Sequence, residues 1–306
     1  MLAAHTLKAL ARQSGFSVAA VARAAPLDPE PLDTWLAAGH HASMDWMAKT
    51  REARLDPAKL LPGVQTVLAL GACYLTPAHR LDVSAPIAPS AQGRDYHSVM
   101  RDKLKVLRRL LGSIDPSIET FATVDTAPIQ EKAWAARAGL GWLGRHGLLV
   151  TPDHGTRVIL ATLLIDRAVD VFDAPLPSRC GACTRCLDVC PTGALLGDGR
   201  LDARRCLACQ TIEESEGAFR PELLPLAGPA IFGCDVCQRA CPWNRPEHAC
   251  GDPKFAPRPL AALQLEAWAE MSDEAEFDAL TRGTALRRAG FAGLRRNARA
   301  ALAARR

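Results

Sequence analysis

The chain predicts an α+β protein: an α/β layer, then a small cysteine-rich module, then a helical tail. Three observations carry that expectation. Thr66–Tyr74 and Arg157–Ile165 are continuous apolar runs of strand length, as expected of strands buried on both faces. Between them Met100, Leu104, Leu107 and Leu111 recur at helical spacing with Arg and Lys interleaved, the pattern of a surface helix packed on a core. Beyond them stands Cys180-x2-Cys183-x2-Cys186-x3-Cys190-Pro191, the spacing with which bacterial ferredoxins ligate 4Fe–4S clusters.

The elements follow in order. Residues 5–23 read as an amphipathic helix, with Leu7, Leu10, Ala11 and Phe16 near helical spacing and an end signal around Gly15. Asp33–Thr50 reads as a second helical stretch carrying Trp35, Leu36, Met44, Trp46 and Met47. Leu60-Leu-Pro-Gly63 is a turn, and Pro77–Pro89 a proline-rich loop. Ile118–Val124 is strand-like. Ala127–Leu140 is helical, with Pro128 suited to a first turn and Gly139 to an end. Strands alternating with helices suggest an α/β layer. Asp173–Ser178 is a linker into the cysteine module, and the pattern after Cys250 is mostly helical.

The cysteines define the chemistry. A second run, Cys234-x2-Cys237-x3-Cys241-Pro242, follows the first. Two cubane clusters take four thiolates each, and the Cys-Pro ligand of each run crosses to the other cluster. One cluster then uses Cys180, Cys183, Cys186 and Cys241. The other uses Cys190, Cys234, Cys237 and a thiol from outside the runs, because Ile231 stands where another cysteine is expected. Cys206 and Cys209 are the nearest candidates, Cys206 preferred. Zinc also takes Cys-x2-Cys pairs, but four cysteines within eleven residues, followed by proline, fit a tetrahedral zinc site poorly. Cys73 lies in an apolar run and reads as a small buried hydrophobe; Cys250 is left over.

The bulk numbers narrow the class. With 306 residues, 48% of them hydrophobic, the chain suffices for two domains or one large domain with an insert. Eleven cysteines is an odd count, and their assignment to metal favours a reducing compartment over a disulfide framework. The first residues lack a signal-peptide pattern, and no apolar run is long enough to cross a bilayer. A soluble, cytoplasmic protein is expected. The formal charge is only +4, yet Arg282–Arg306 holds eight arginines and no acidic residue. Such a run attracts phosphates; it is equally the solvated face of a helix.

Further segments carry a resemblance. They are Arg54-x-Asp-Pro57 leading to Leu60-Leu-Pro-Gly63, Gly93-Arg-Asp-Tyr-His97, Val124-Asp-Thr-Ala-Pro128, Ala138-Gly-Leu-Gly-Trp-Leu-Gly144 and Thr151-Pro-x-x-Gly155. Arg205-Cys206, Thr211-Ile-Glu213, Phe232-Gly-Cys-Asp-x-Cys-Gln238 and Leu294-Arg-Arg-Asn-Ala298 continue the series in order. Together with the cysteine runs they span nearly the whole chain and resemble the epoxyqueuosine reductases, cobalamin-dependent iron–sulfur enzymes of tRNA modification. Any ferredoxin has the cysteines; the Gly-Arg-Asp-Tyr-His and Val-Asp-Thr-Ala-Pro segments point to this family.

That resemblance implies a nitroreductase-like α/β cobalamin-binding domain over residues 1–170, a ferredoxin-like domain with two 4Fe–4S clusters over 171–250, and a helical, arginine-rich region over 251–306. It implies that the chain stops about where the HEAT-like repeats of many relatives begin. The implied reaction reduces epoxyqueuosine to queuosine at the tRNA wobble position. The implied partners are the anticodon stem-loop and a reductase, flavodoxin or ferredoxin as electron donor, with the protein a monomer off the membrane. Asp125 matches the family's proton donor, and Arg54 an arginine that contacts cobalamin. For the proton role, burial should raise the Asp125 pKa so that it is protonated near neutral pH; the alternative is that Asp125 caps a helix starting at Ala127. His97 is either a hydrogen-bonding residue of the cofactor pocket or a helix-start residue. Asp95-x-His97 begins like the Asp-x-His-x-x-Gly motif that ligates cobalt, but Met100 replaces the glycine, so cobalt is expected to bind without a protein histidine. A bare electron carrier, a reductive dehalogenase and a zinc-containing RNA-binding module are the competing classes. The roughly 170 residues before the cysteines argue against the first.

Overall fold

The computed structural model describes residues 2–79, 81, 85–244 and 252–305; Cys250 and part of the proline-rich loop lie outside them. In chain order come α1 (Ala4–Gln13), β1 (Val18–Arg23), α2 (Glu30–Ala37), α3 (Trp46–Lys49), α4 (Arg51–Leu55), β2 (Thr66–Cys73), α5 (Tyr96–Ile114), β3 (Thr120–Thr123) and α6 (Glu131–Arg137). A short hairpin follows, β4 (Trp142–Leu143) with β5 (Leu149–Val150), and then β6 (Val158–Ile165). Strands β1, β2, β6 and β3 form a sheet in that order, every pairing antiparallel. The result is an α+β layer.

The sheet is covered on both faces, which explains why its strands read as unbroken apolar runs. Successive side chains of a strand point to opposite faces. Leu68, Leu70 and Ala72 of β2 join a core with Leu7 and Ala11 of α1 and Met100, Leu104, Leu107 and Leu111 of α5. Val67 and Ala69 join a second core with Trp134 and Ala135 of α6.

Three sequence expectations are corrected. The helix over residues 5–23 ends at Gln13; Gly15, at φ +88°, turns the chain, and Val18–Arg23 becomes β1. That segment is too short and too uniformly apolar for periodicity to separate helix from strand. The stretch Asp33–Thr50 is broken between α2 and α3, where Gly39 and Ala42 have positive φ. The helix over Ala127–Leu140 starts only at Glu131, because Pro128 disfavours helical geometry at Ala127. Its end is as expected, with Gly139 left-handed at φ +74° just beyond the cap.

The cysteine region holds α7 (Arg185–Asp188), α8 (Leu207–Ile212) and α9 (Val236–Ala240). The tail holds α10 (Leu265–Glu270), α11 (Glu274–Thr281) and α12 (Gly290–Ala303). A third core joins Ile87, Ile231 and Phe232 to Trp268, Leu286 and Leu294 of the tail. Ile231, where the cysteine pattern lacks a ligand, is thus a fully buried packing residue. The Leu294–Ala298 motif is a clamp. Buried Asn297 donates from Nδ2 to the carbonyls of Thr211 (3.0 Å) and Ile231 (2.9 Å), and Arg296 Nη2 donates to those of Gln210 and Glu214. Asn297→Leu leaves two buried carbonyls unpaired and is expected to lower stability by about 2–5 kcal/mol, read as a shift in the denaturant midpoint. No helix among the described residues is long and apolar enough to cross a membrane.

Candidate active site and cluster-ligand cysteines

The described cysteines are free of disulfides, and their thiols influence one another in two sets. Burial raises the Cys241 pKa, and the nearby Cys180, Cys186 and Cys183 raise it further. Burial likewise raises Cys237, with Asp235, Cys234, Cys206 and Cys190 adding to it. Cys234 is pushed up to about 11 by burial, with Cys206 contributing. Cys209 is pushed up to about 12 by burial, and the charges that act on it among the described residues are those of Cys206, Arg220 and Glu213. The crossed pattern places Cys206 among Cys190, Cys234 and Cys237, with Cys209 to one side. Two sets of four thiols, each drawing on both cysteine runs, suit a pair of cubanes sharing ligands across the runs.

The second constellation forms where α5, the turn after β3 and the start of α6 meet. Asp125 sits at φ +58°, a conformation uncommon for a non-glycine residue. Its Oδ2 accepts from Tyr96 Oη (3.1 Å) and from His97 Nε2 (2.8 Å). His97 Nδ1 donates to Asp95 Oδ1 (2.7 Å), which also accepts the His97 backbone N–H as N-cap of α5. Tyr96 and His97 stack with ring centroids 4.1 Å apart. The Asp125 N–H donates to Glu131 Oε1 at 3.0 Å. Because α6 begins at Glu131, with no side-chain cap, Asp125 does not cap it. His97 is both a helix-start residue and a bridge between two carboxylates.

The charge states differ from expectation. The Asp125 pKa is not raised: the hydrogen bond from His97 outweighs burial and holds the carboxyl below its usual range. Burial pulls His97 down, but the hydrogen bonds to Asp125 and Asp95 and their charges prevail and raise it to about 9. The carboxyl raised by burial is Glu131, pushed up to about 8. At neutral pH the relay therefore holds its proton on His97. His97 gains its partners on folding, so their stabilisation is full below the unfolded pKa of about 6.5 and lost as pH rises through about 9. Titration of the His97 ring by NMR is expected to show that elevated midpoint.

Arg54 on α4 is buried, donates from Nε to Thr50 Oγ1 (3.0 Å), and lies 5.0 Å from the ring centroid of exposed Trp46. Burial lowers its pKa, opposed by the charges of Asp125 and Glu131 beside it. Asp125 keeps 55% of its side chain accessible, and Lys132 is exposed although burial depresses its ammonium. An exposed indole, a buried guanidinium and an accessible carboxylate gathered in one place offer the apolar and polar contacts that a large amphipathic ring such as a corrin takes.

Sequence reasoning singled out Asp125, His97 and Arg54, which the fold brings together. It assigned no role to Tyr96 or Asp95, although both lie in the Gly93–His97 segment, and it missed Glu131 and Arg288. Arg288, from the arginine-rich tail, donates to Glu213 Oε2 (2.6 Å), and its charge helps lower the Asp125 pKa. No local pattern links these two residues to Asp125; their signal is purely tertiary.

A charged, solvent-accessible relay, in a chain that also carries two thiol quartets, defines a redox enzyme with a double iron–sulfur centre. The comparisons agree. A family model described as a 4Fe-4S double cluster binding domain matches residues 179–244, and one described as epoxyqueuosine reductase QueG, DUF1730, matches residues 54–126. The epoxyqueuosine reductase of Gloeobacter violaceus is 41% identical over 98% of this chain and 96% of its own length. A crystal structure of epoxyqueuosine reductase with an epoxyqueuosine-modified tRNA-Tyr stem loop has a TM-score of 0.88 and 30% identity over 97% of this chain and 80% of that one. The Bacillus subtilis enzyme, solved with an aspartate-bearing catalytic loop swung out of its active site, has a TM-score of 0.86 and 29% identity over the same shares. The chain belongs to the epoxyqueuosine reductase family.

Proposed function

We propose that this chain reduces epoxyqueuosine to queuosine at the wobble position of tRNA, with Asp125 delivering the proton to the departing epoxide oxygen. The observation that carries the reading is the Asp125 carboxylate, held by Tyr96 and His97 with more than half of its side chain accessible. In this reading residues 1–170 form a nitroreductase-like, cobalamin-binding domain, 171–250 a ferredoxin-like domain, and 251–306 a helical tail.

Conversion of the epoxide to an alkene takes two electrons and two protons and releases water. Cobalamin, when bound, supplies a strongly reducing, nucleophilic metal centre. Arg54, Asp125 and His97 line its pocket. The thiolates of Cys180, Cys183, Cys186 and Cys241 hold one cluster, and those of Cys190, Cys206, Cys234 and Cys237 the other; each cluster passes electrons singly. His97 stores a proton on Nε2 and gives it to Asp125 Oδ2 as negative charge grows on the substrate oxygen, and Asp125 passes it on. Tyr96 keeps the carboxylate aimed. An ionised resting Asp125 fits this role because its partner keeps the proton within hydrogen-bond reach.

The swung-out loop of the Bacillus subtilis enzyme supports a corresponding motion of the Asp125 turn. A wobble base is unpaired and can be extruded into a recess. Arg282 and Arg299 are exposed and free to meet phosphate, whereas Arg296 is committed to the fold. The electron donor is a flavodoxin, a ferredoxin or a reductase, and the protein acts as a cytoplasmic monomer. Incubation of reduced holoprotein with cobalamin and an epoxyqueuosine-bearing stem loop, followed by nucleoside mass analysis, tests the reading. A nucleoside that retains its epoxide oxygen overturns it.

A further inference from the structure

We infer that Glu131 is a positioning residue, whose side-chain oxygen accepts the Asp125 N–H and so holds the left-handed turn that presents the Asp125 carboxylate to Tyr96 and His97. The inference rests on the proposed proton-delivery role of Asp125 and assigns a function to a side chain that this role leaves unused.

The geometry is specific. Strand β3 ends at Thr123, two residues before Asp125, so the sheet ladder does not take the Asp125 N–H. Glu131 Oε1 takes it instead, at 3.0 Å. A non-glycine residue at φ +58° needs its surroundings to hold it there. Within the turn, Thr126 N–H donates to the Val124 carbonyl, closing a tight three-residue turn around Asp125, and Ile129 N–H donates to the Ala127 carbonyl, but neither bond takes the Asp125 N–H or ties the turn to a neighbouring element. Glu131 is well placed to do so. It opens α6, and α6 is anchored by Trp134 and Ala135, both buried in the core against the sheet. The oxygen that meets the Asp125 turn is therefore carried by an element packed into the core. The groups around the Glu131 carboxyl are Asp125 on the turn, His97 on α5 and Arg54 on α4, with Lys132 next on its own helix. Burial favours the neutral form of Glu131, and a neutral carboxyl still accepts through its carbonyl oxygen. Acceptance, rather than charge, is what the turn needs.

The test uses holoprotein with both clusters. Glu131→Ala removes the acceptor, whereas Glu131→Gln keeps an amide oxygen in its place. In the alanine variant, hydrogen exchange over residues 124–128 should speed up, and kcat for the modified stem loop should fall about 10- to 100-fold through misplacement of the proton donor, with KM and iron content unchanged. The glutamine variant should restore protection and most of the turnover. Wild-type exchange and turnover in Glu131→Ala would overturn the inference. So would a glutamine variant as inactive as alanine but fully protected, since Glu131 would then be acting as an acid. Asp125→Asn run in parallel separates the two readings. If it retains turnover, the proton-delivery proposal fails, while the exchange data still decide what Glu131 does.

Discussion

Replacing Asp125 with asparagine is expected to lower turnover by about 10²- to 10⁴-fold, the range spanned by a positioned general acid, while leaving iron content and corrinoid retention unchanged. Asparagine has nearly the same shape, and its amide oxygen still accepts a hydrogen bond from Tyr96 or His97, but it cannot carry the proton. A second signature follows from the charge removed. Asp125 is one of the two carboxylates that lift His97 to about 9, so in the asparagine variant the His97 midpoint moves down toward the unperturbed value of about 6.5. The alkaline limb of any remaining activity should move to lower pH with it. Loss of turnover without a shift in His97 would mean that the relay is not coupled as its hydrogen bonds indicate; wild-type turnover would remove Asp125 from the chemistry.

The second large effect concerns the thiol that neither cysteine run supplies. Cys206→Ala is expected to reduce iron and labile sulfide from about eight to about four per chain, through loss of one cubane, and to abolish turnover. Cys209→Ala is expected to retain both clusters. Cys206 and Cys209 sit only three residues apart, yet Cys206 acts electrostatically on Cys234 and Cys237, whereas the charges acting on Cys209 are those of Cys206, Arg220 and Glu213. The reverse result would assign Cys209 as the ligand. Two zinc ions with no sulfide in the wild-type protein would overturn the cluster assignment altogether.

The parts legible in the sequence are those whose chemistry repeats along the chain. Thiolate spacing announces the clusters because neighbouring residues wrap one inorganic core. The strands β2 and β6 are legible because a run covered on both faces has no polar alternation. Strand β1 was hidden: Val18–Arg23 is a short apolar segment directly after a helix, and only its pairing with β2 makes it a strand. The site divides in the same way. Asp125, His97 and Arg54 lie in segments distinctive enough to be singled out. The ionisation of Asp125 is not legible because it depends on His97 and Tyr96, which open a distant helix, and on Arg288 from the tail. Glu131 and Arg288 reach Asp125 only through the folded arrangement of α6 and the tail.

The central claim is that the clusters of this chain supply the electrons that remove the epoxide oxygen. Holoprotein with bound cobalamin should be reduced anaerobically, freed of excess reductant, and mixed with epoxyqueuosine-bearing stem loop while cluster absorbance and nucleoside mass are followed together. The account predicts that the clusters reoxidise in step with the appearance of the alkene nucleoside, with one product for every two electrons drawn from the clusters and the reduced corrinoid together. Clusters that stay reduced while product forms, or that reoxidise while the nucleoside keeps its oxygen, would contradict it.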